Sequence, residues 1–278
     1  MSWERNTGAG PHGRSVGGAA ARPRIYIVGA GPGDPELLTL KAVRLLEAAD
    51  AVVYDRLVSP EILDLVPPGA MRIYVGKATD SHTLCQDEIN ELLTRLARAG
   101  RTVVRLKGGD PNVFGRAGEE AEYLGERGIA CEIVPGVTAA SGCAAAAGLP
   151  LTYRGLATGV RFVTGHCRAE VPLDLDWQSL ADPKTTLVIY MGLENLPVFS
   201  RELIRAGLAP TTPAAAIMWG TTARQRMCVA TLAELPGKVR AEGFEAPVLT
   251  IVGRVVSRIG LFDSVALREP SRSLAQEA

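Results

Sequence analysis

No charge of one sign prevails in this sequence: thirty lysines and arginines face thirty aspartates and glutamates along 278 residues. Without a net basic field the chain has no global hold on a polyanion such as nucleic acid, and an anionic ligand has to be met by individually placed arginines. Cysteine is sparse as well. Cys85, Cys131, Cys143, Cys167 and Cys228 include no CxxC pair and are odd in number, which fits reduced thiols better than a disulfide framework. Only three histidines are present. His166 adjoins Cys167, but structural zinc takes its ligands in spaced pairs, so no metal is expected and Cys167 reads as a loop or strand-end thiol. Long apolar runs are also missing: even AASGCAAAAGLPL is Ala-rich and well short of the ~20 residues that span a bilayer. Residues 1–22 are rich in Gly, Ala and Arg without the apolar core of a secretory signal, so a disordered leader and a cytoplasmic chain are expected.

What is present suits packed cores. Apolar residues make up 47% and charged residues 22%, and at ~150 residues per domain the length has room for two domains. From Arg24 onward short β-branched runs alternate with helical patterns: RIYIVG, a helix over about 35–49, AVVYD, RIYVG, a helix near 84–99, TVVRL, a helix over about 115–127 and ACEIVP. That alternation predicts a largely parallel sheet with crossover helices. After an Ala-rich helix over 138–147 come RFVTG, TTLVIYM, AAAIMWG, CVATL and VLTIVGRVV, some joined by short turns, which predicts a mixed second sheet. The expected architecture is α/β, with one domain over 24–136, a second over 137–262, a polar flexible tail over 263–278, and a ligand cleft between the domains.

Three glycine turns stand at strand ends. GAGPGDP (29–35) follows the first strand, KGGDP (107–111) follows TVVRL and leads into FGRAGEE, and PGVT (135–138) opens the Ala-rich helix, where Thr138 is a candidate cap. Glycine lets backbone approach a ligand closely, and the prolines fix the shape of each turn. The dinucleotide fingerprint GxGxxG fits the first turn poorly, because Pro32 and Pro35 stiffen it and remove N–H donors; the phosphate-loop spacing GxxxxGK[ST] is absent. The three turns together suit a bulky cofactor with polar edges, held at the carboxyl ends of the strands.

Together with VVYDRLVS (52–59), VGK (75–77) and IYMG (189–192), these turns resemble the uroporphyrinogen-III C-methyltransferases, tetrapyrrole methylases dependent on S-adenosylmethionine, from about Arg24 to Gly260. The resemblance implies the tetrapyrrole methylase fold, a homodimer, S-adenosyl-L-methionine as methyl donor with S-adenosyl-L-homocysteine as product, and methylation of uroporphyrinogen III at C-2 and C-7 to precorrin-2 via precorrin-1. It further implies that Pro32, Gly108, Gly109, Asp110, Val113, Thr138, Ala139, Met191, Gly220 and Ala246 surround the cofactor. Asp110 would bond the ribose or amino-acid end, and backbone near Ala246-Pro247 would read the adenine. Asp55 and Lys77 match acid–base positions of the family.

Methyl transfer from a sulfonium is an in-line displacement that chiefly demands positioning, and the methylated ring must then lose a proton. The substrate's carboxylates call for placed guanidiniums. Arg116, with Glu119 three residues on along the same helix face, and Arg154 are the candidates, Arg116 also as a catalytic group and Met191 as a further substrate contact. His82 and Gln86 are candidates for the substrate mouth. Rival readings are a methyltransferase for a later corrin precursor or for a protein side chain, a NAD-dependent oxidoreductase built on GAGPG, and a tetrapyrrole carrier. The leader is too short for the dehydrogenase and chelatase module of bifunctional sirohaem synthases, so the expected product is dimethylated, and sirohaem, cobalamin and haem d1 all remain open as its destination.

Overall fold

The computed structural model describes residues 25–76, 84–166 and 173–259. The β-branched runs of the first half form one sheet: β1 (Ile25–Gly29), β2 (Ala51–Tyr54), β3 (Met71–Tyr74), β4 (Val103–Lys107) and β5 (Cys131–Val134), in the order β3-β2-β4-β1-β5. Every pairing is parallel. Parallel strands need crossovers, and here helices cover both faces, so the central strands are buried on both sides. Helices α1 (Leu40–Glu47) and α2 (Pro60–Leu63) pack on Val28, Val52, Val104 and Leu106. Helices α3 (Gln86–Arg98) and α4 (Ala117–Glu126) pack on Ile25, Ile27, Val53 and Val103.

The second sheet is mixed, as its short connections imply. β6 (Gly159–Thr164), β7 (Thr185–Tyr190), β8 (Pro213–Met218), β9 (Arg226–Thr231) and β10 (Val248–Val252) run in the order β6-β7-β10-β8-β9, with β6 and β7 parallel and the other neighbours antiparallel. One face carries α6 (Trp177–Leu180), α7 (Leu196–Arg205) and α8 (Leu235–Ala241) around the fully buried Phe199. The other carries α5 (Ala139–Ala146), whose Ala140, Cys143 and Ala144 lie against Val188, Ala215, Ile217 and Ile251. A helix of small residues sits close to a sheet, so α5, which leaves the first sheet at β5, is packed onto the second.

Two helix starts differ from the sequence reading. The stretch 35–49 is interrupted: Asp34 caps a short 3-10 turn at Pro35–Leu37, Leu38 is extended, and Thr39 caps α1 afresh by accepting the Ala42 N–H at 3.1 Å. A Thr side chain offered to the backbone competes with continuing the helix. The helix expected from residue 115 begins at Ala117, because Arg116 takes a left-handed conformation (φ 58°) and serves as its N-cap residue. 

The turns after β1, β4 and β5 are packed backbone against backbone. A Cβ placed on Gly29 would lie 2.6 Å from the Gly136 nitrogen and 2.7 Å from the Gly109 carbonyl oxygen. Backbone cannot step aside as a side chain can, so Gly29→Ala is expected to lower stability by more than ~2 kcal/mol in urea titration. Gly125→Ala, at a helical site with open space around it, should raise stability by up to about 1 kcal/mol. Equal effects at the two sites would show that the turns are not close-packed.

Candidate active site

At the carboxyl edge of the parallel sheet β1 and β4 are neighbours, yet β1 leads to α1 on one face and β4 to α4 on the other. Adjacent strands whose connections diverge leave a crevice, the place where open α/β sheets take ligands. Glycine backbone bridges its floor. The Gly31 N–H donates to the Gly109 carbonyl at 3.1 Å, and the Gly109 N–H returns a bond to the Gly31 carbonyl at 2.6 Å. Both residues have positive φ, 70° and 69°, a conformation glycine adopts without steric penalty. Asp110 ties in the third turn: its Oδ2 accepts the Gly136 N–H at 3.0 Å while Oδ1 accepts the Asn112 N–H at 2.8 Å. The loop after β2 joins through Ser59, whose hydroxyl donates to the Gly33 carbonyl at 2.7 Å.

The second sheet closes on this edge. Tyr190, at the end of β7, places its hydroxyl 2.6 Å from Thr138 Oγ1 and accepts the Ala140 N–H at 3.0 Å. Thr138 is the N-cap residue of α5 but makes no capping bond with its own side chain, so the expected Thr cap is supplied by Tyr190 of the sheet on which α5 packs. The same ring meets Phe114, with centroids 5.1 Å apart. Thr221 Oγ1 accepts the Asp34 N–H at 3.2 Å, and Arg56 Nη1 donates to the Ala246 carbonyl at 3.4 Å. Ala246 and Pro247 are joined by a cis peptide bond, and the Pro247 carbonyl accepts the Trp219 N–H at 3.2 Å. Among the described residues, the non-glycine positions with positive φ are Phe114, Arg116, Met191, Trp219 and Thr221. All of them follow β4, β7 or β8 on the crevice side. Such a conformation costs about 1–3 kcal/mol at each residue and gathers where function holds it in place.

Beneath the crevice lies a buried ionic cluster that the sequence reading missed. Strand β4 alternates Val104 and Leu106 on one face with Arg105 and Lys107 on the other. The two cations are 3% and 6% exposed and both meet Glu120 of α4, which is fully buried. Glu120 Oε1 accepts from Lys107 Nζ at 2.7 Å, Arg105 Nε at 3.3 Å and Gln86 Nε2 at 3.1 Å, whereas Oε2 has no hydrogen-bond partner among the described residues. Arg105 also reaches Asp55, Nη2 to Oδ2 at 3.5 Å, and donates from Nη1 to the Val53 and Leu106 carbonyls. Burial pushes the Lys107 ammonium below the ordinary lysine range, Arg105 adds to the effect, and Glu120 opposes it. The signal was available: two cations at strand spacing in a central parallel strand require a buried anion.

Most of the expected site residues meet here. Pro32, Gly108, Gly109, Asp110, Thr138 and Ala139 belong to the three stitched turns, Val113 adjoins Phe114, Met191 adjoins Tyr190, Gly220 stands between Trp219 and Thr221, and Ala246 is joined to Trp219 through Pro247. Asp55 lies at the end of β2, its Oδ1 accepting the Leu57 N–H at 3.1 Å. Arg116 and Glu119 are both exposed and paired, Nη2 to Oε2 at 2.6 Å. That bond holds the guanidinium in its charged form. Arg154 is exposed in the turn bridged by Tyr153 and Ala157 and is not brought to the crevice by these contacts. Gln86 turns inward to Glu120 and Asn90, so it does not stand at an open mouth. Lys77, His82 and Cys167 lie outside the described residues.

The Lys107 shift has a consequence for stability. Below its folded-state pKa the lysine is protonated in both states and the burial penalty is present in full; as pH rises through that value toward the ordinary 10.5, the unfolded chain binds more protons and stability gains. Lys107→Met removes that gain. The stability of wild type minus variant is therefore expected to rise as pH climbs on the alkaline side toward 10.5 in urea titrations, and a flat difference would show that the lysine is unperturbed.

The arrangement has known counterparts. A uroporphyrin-III C-methyltransferase from Thermus thermophilus, solved in complex with S-adenosyl homocysteine, is 46% identical, with a TM-score of 0.72 covering 84% of this chain and 99% of that one. A cobalt precorrin-4 methyltransferase of cobalamin biosynthesis is 31% identical, with a TM-score of 0.75 covering 84% and 95%. Among curated proteins, siroheme synthases of Chromobacterium violaceum and Azotobacter vinelandii are 53% and 56% identical over 242 residues, covering 87% and 86% of this chain. The chain spans about half the length of these curated relatives, 51% and 52%. Residues 24–236 match the family of tetrapyrrole (corrin/porphyrin) methylases, and the chain belongs to that family.

Proposed function

We propose that the crevice binds S-adenosylmethionine and that the chain methylates uroporphyrinogen III on carbon, at C-2 and then C-7, giving precorrin-2 by way of precorrin-1. The observation that carries this reading is the charge of the stitched turns. Asp34, Asp55 and Asp110 stand at the carboxyl edge, while the cations of the adjoining strand, Arg105 and Lys107, are turned down to Glu120. A carboxylate-lined edge with its lysine engaged suits a sulfonium with an ammonium group and disfavours the pyrophosphate of a dinucleotide, so it speaks against the oxidoreductase reading. The close-set glycines, with no room for a Cβ at Gly29 or Gly136, hold the turns backbone against backbone beside the proposed ligand. The 46% identity to a neighbour complexed with S-adenosyl homocysteine supports the same ligand here.

When bound, the cofactor supplies an electrophilic methyl group. The chain's part is then to hold the electron-rich pyrrole carbon in line behind that methyl and to manage the proton released afterwards. In this reading the three turns with Val113, Met191, Gly220 and Ala246 hold the cofactor, and Asp110, already accepting two backbone N–H groups, fixes the turns as well as facing the ligand. Arg116, Glu119 and Met191 meet the substrate, where the arginine fork matches its carboxylates, while Arg154 is left out of this set because its contacts do not bring it to the crevice. Asp55, which Arg105 holds in place, forms the proposed catalytic set with Lys77 and Arg116. A homodimer in the cytoplasm belongs to the same proposal.

Anaerobic incubation with uroporphyrinogen III and methyl-labelled S-adenosylmethionine tests it. A dimethylated, doubly labelled macrocycle is expected. Arg116→Lys should keep cofactor affinity and lose about tenfold or more in kcat/KM, because an ammonium cannot make the bidentate contact. Absence of label on this substrate, with label appearing on a later corrin precursor, would contradict the substrate assignment.

A further inference from the structure

The buried cluster under the crevice is more than a satisfied ion pair. Two cations on one strand, Arg105 and Lys107, converge on a single oxygen of Glu120, and the other, buried oxygen has no hydrogen-bond partner among the described residues. Such an arrangement is a poor way to gain stability, since a buried ion pair seldom outweighs an apolar replacement of the same shape. Its place in the fold gives it another consequence. Lys107 is the last residue of β4, immediately before Gly108 and Gly109, and its carbonyl accepts the Ala30 N–H of the first turn at 2.8 Å. Arg105 stands two residues back and faces Asp55 at the crevice edge.

The charges around Glu120 can be followed element by element. Strand β4 presents Arg105 and Lys107, the end of β2 presents Asp55, α3 presents the neutral amides Gln86 and Asn90, and β5 presents Cys131, whose thiol is pushed up by burial and by Glu120. On α4 itself, Arg116 and Glu119 pair with each other at the surface. With Glu120 ionised the two cations are balanced by two carboxylates. Without it, a positive charge is left uncompensated beneath the glycine turns.

We propose that Glu120 is a positioning residue that acts through Arg105 and Lys107 to keep the crevice floor free of excess positive charge, so that the site accepts a cationic sulfonium ligand as readily as its neutral thioether product. This rests on the reading that the crevice takes S-adenosylmethionine. The test is the ratio of affinities for S-adenosylmethionine and S-adenosylhomocysteine, measured by calorimetry on the full chain with no tetrapyrrole present. The two ligands differ by one charge at sulfur, so a loosened crevice weakens both alike, whereas an electrostatic change moves the ratio.

Glu120→Gln should weaken S-adenosylmethionine relative to S-adenosylhomocysteine by about threefold or more, the effect being largest at the acid end and fading as rising pH lets Lys107 release its proton. Lys107→Gln, which leaves the cluster one charge more negative, should move the ratio the other way, and the double variant should return it to the wild-type value. If Glu120→Gln does not fold, the opposite shift in Lys107→Gln and its reversal in the double variant decide the matter. Equal weakening of both ligands, or shifts of the same sign in the two single variants, would overturn the proposal. A wild-type chain that binds neither ligand would instead overturn the cofactor reading, which keeps the two failures apart.

Discussion

The reciprocal hydrogen bonds between Gly31 and Gly109 are the constraint on which the rest of the crevice depends. They join turns that leave neighbouring strands toward opposite faces of the sheet, one step beyond the bond from the Ala30 N–H to the Lys107 carbonyl. Only backbone fits between them. Each partner uses a left-handed conformation to aim its N–H and carbonyl at the other, and Gly29 and Gly136 give up the Cβ that would push the turns apart. Once that contact exists, Asp110 can reach the Gly136 N–H and Ser59 the Gly33 carbonyl, and four connections become one rigid edge. A site held by backbone within one packed edge is preorganised, so little ordering has to be done when a ligand arrives.

The second sheet completes this edge at points that are themselves strained. Phe114, Met191, Trp219 and Thr221 keep left-handed backbone against the preference of bulky and branched side chains. Two of them make contacts that run between the sheets: the Phe114 ring on Tyr190 and the Thr221 hydroxyl on Asp34. The interface and the site are therefore built from the same residues. A substitution that loosens one will be felt in the other.

Much of this was legible in the sequence, for physical reasons that can be named. The alternation of β-branched runs with helical periods implies the parallel sheet, because strands joined through helical crossovers run the same way. The short connections of the second half gave the mixed sheet. Glycines at strand ends marked the turns, since few other residues allow backbone to approach backbone. What escaped was long-range. That Tyr190 would cap α5 cannot be read from either segment, and Thr138 looked like a sufficient cap by itself. The left-handed conformation at Arg116 has no signal in its residue type. The cluster of Arg105, Lys107 and Glu120 was hidden because TVVRLK was read for its apolar content, although its two cations at alternate positions already required a buried carboxylate.

The central claim is that the stitched glycine turns are the cofactor site. A crystal structure of the chain with S-adenosylhomocysteine tests it most directly. The expected result is the ligand lying against Gly108, Gly109 and Asp110, with the bonds from Gly31 to Gly109 and from Gly136 to Asp110 intact and the turns displaced by less than about 1 Å, as preorganised sites are. A ligand bound elsewhere, or turns that separate to admit it, would contradict the claim.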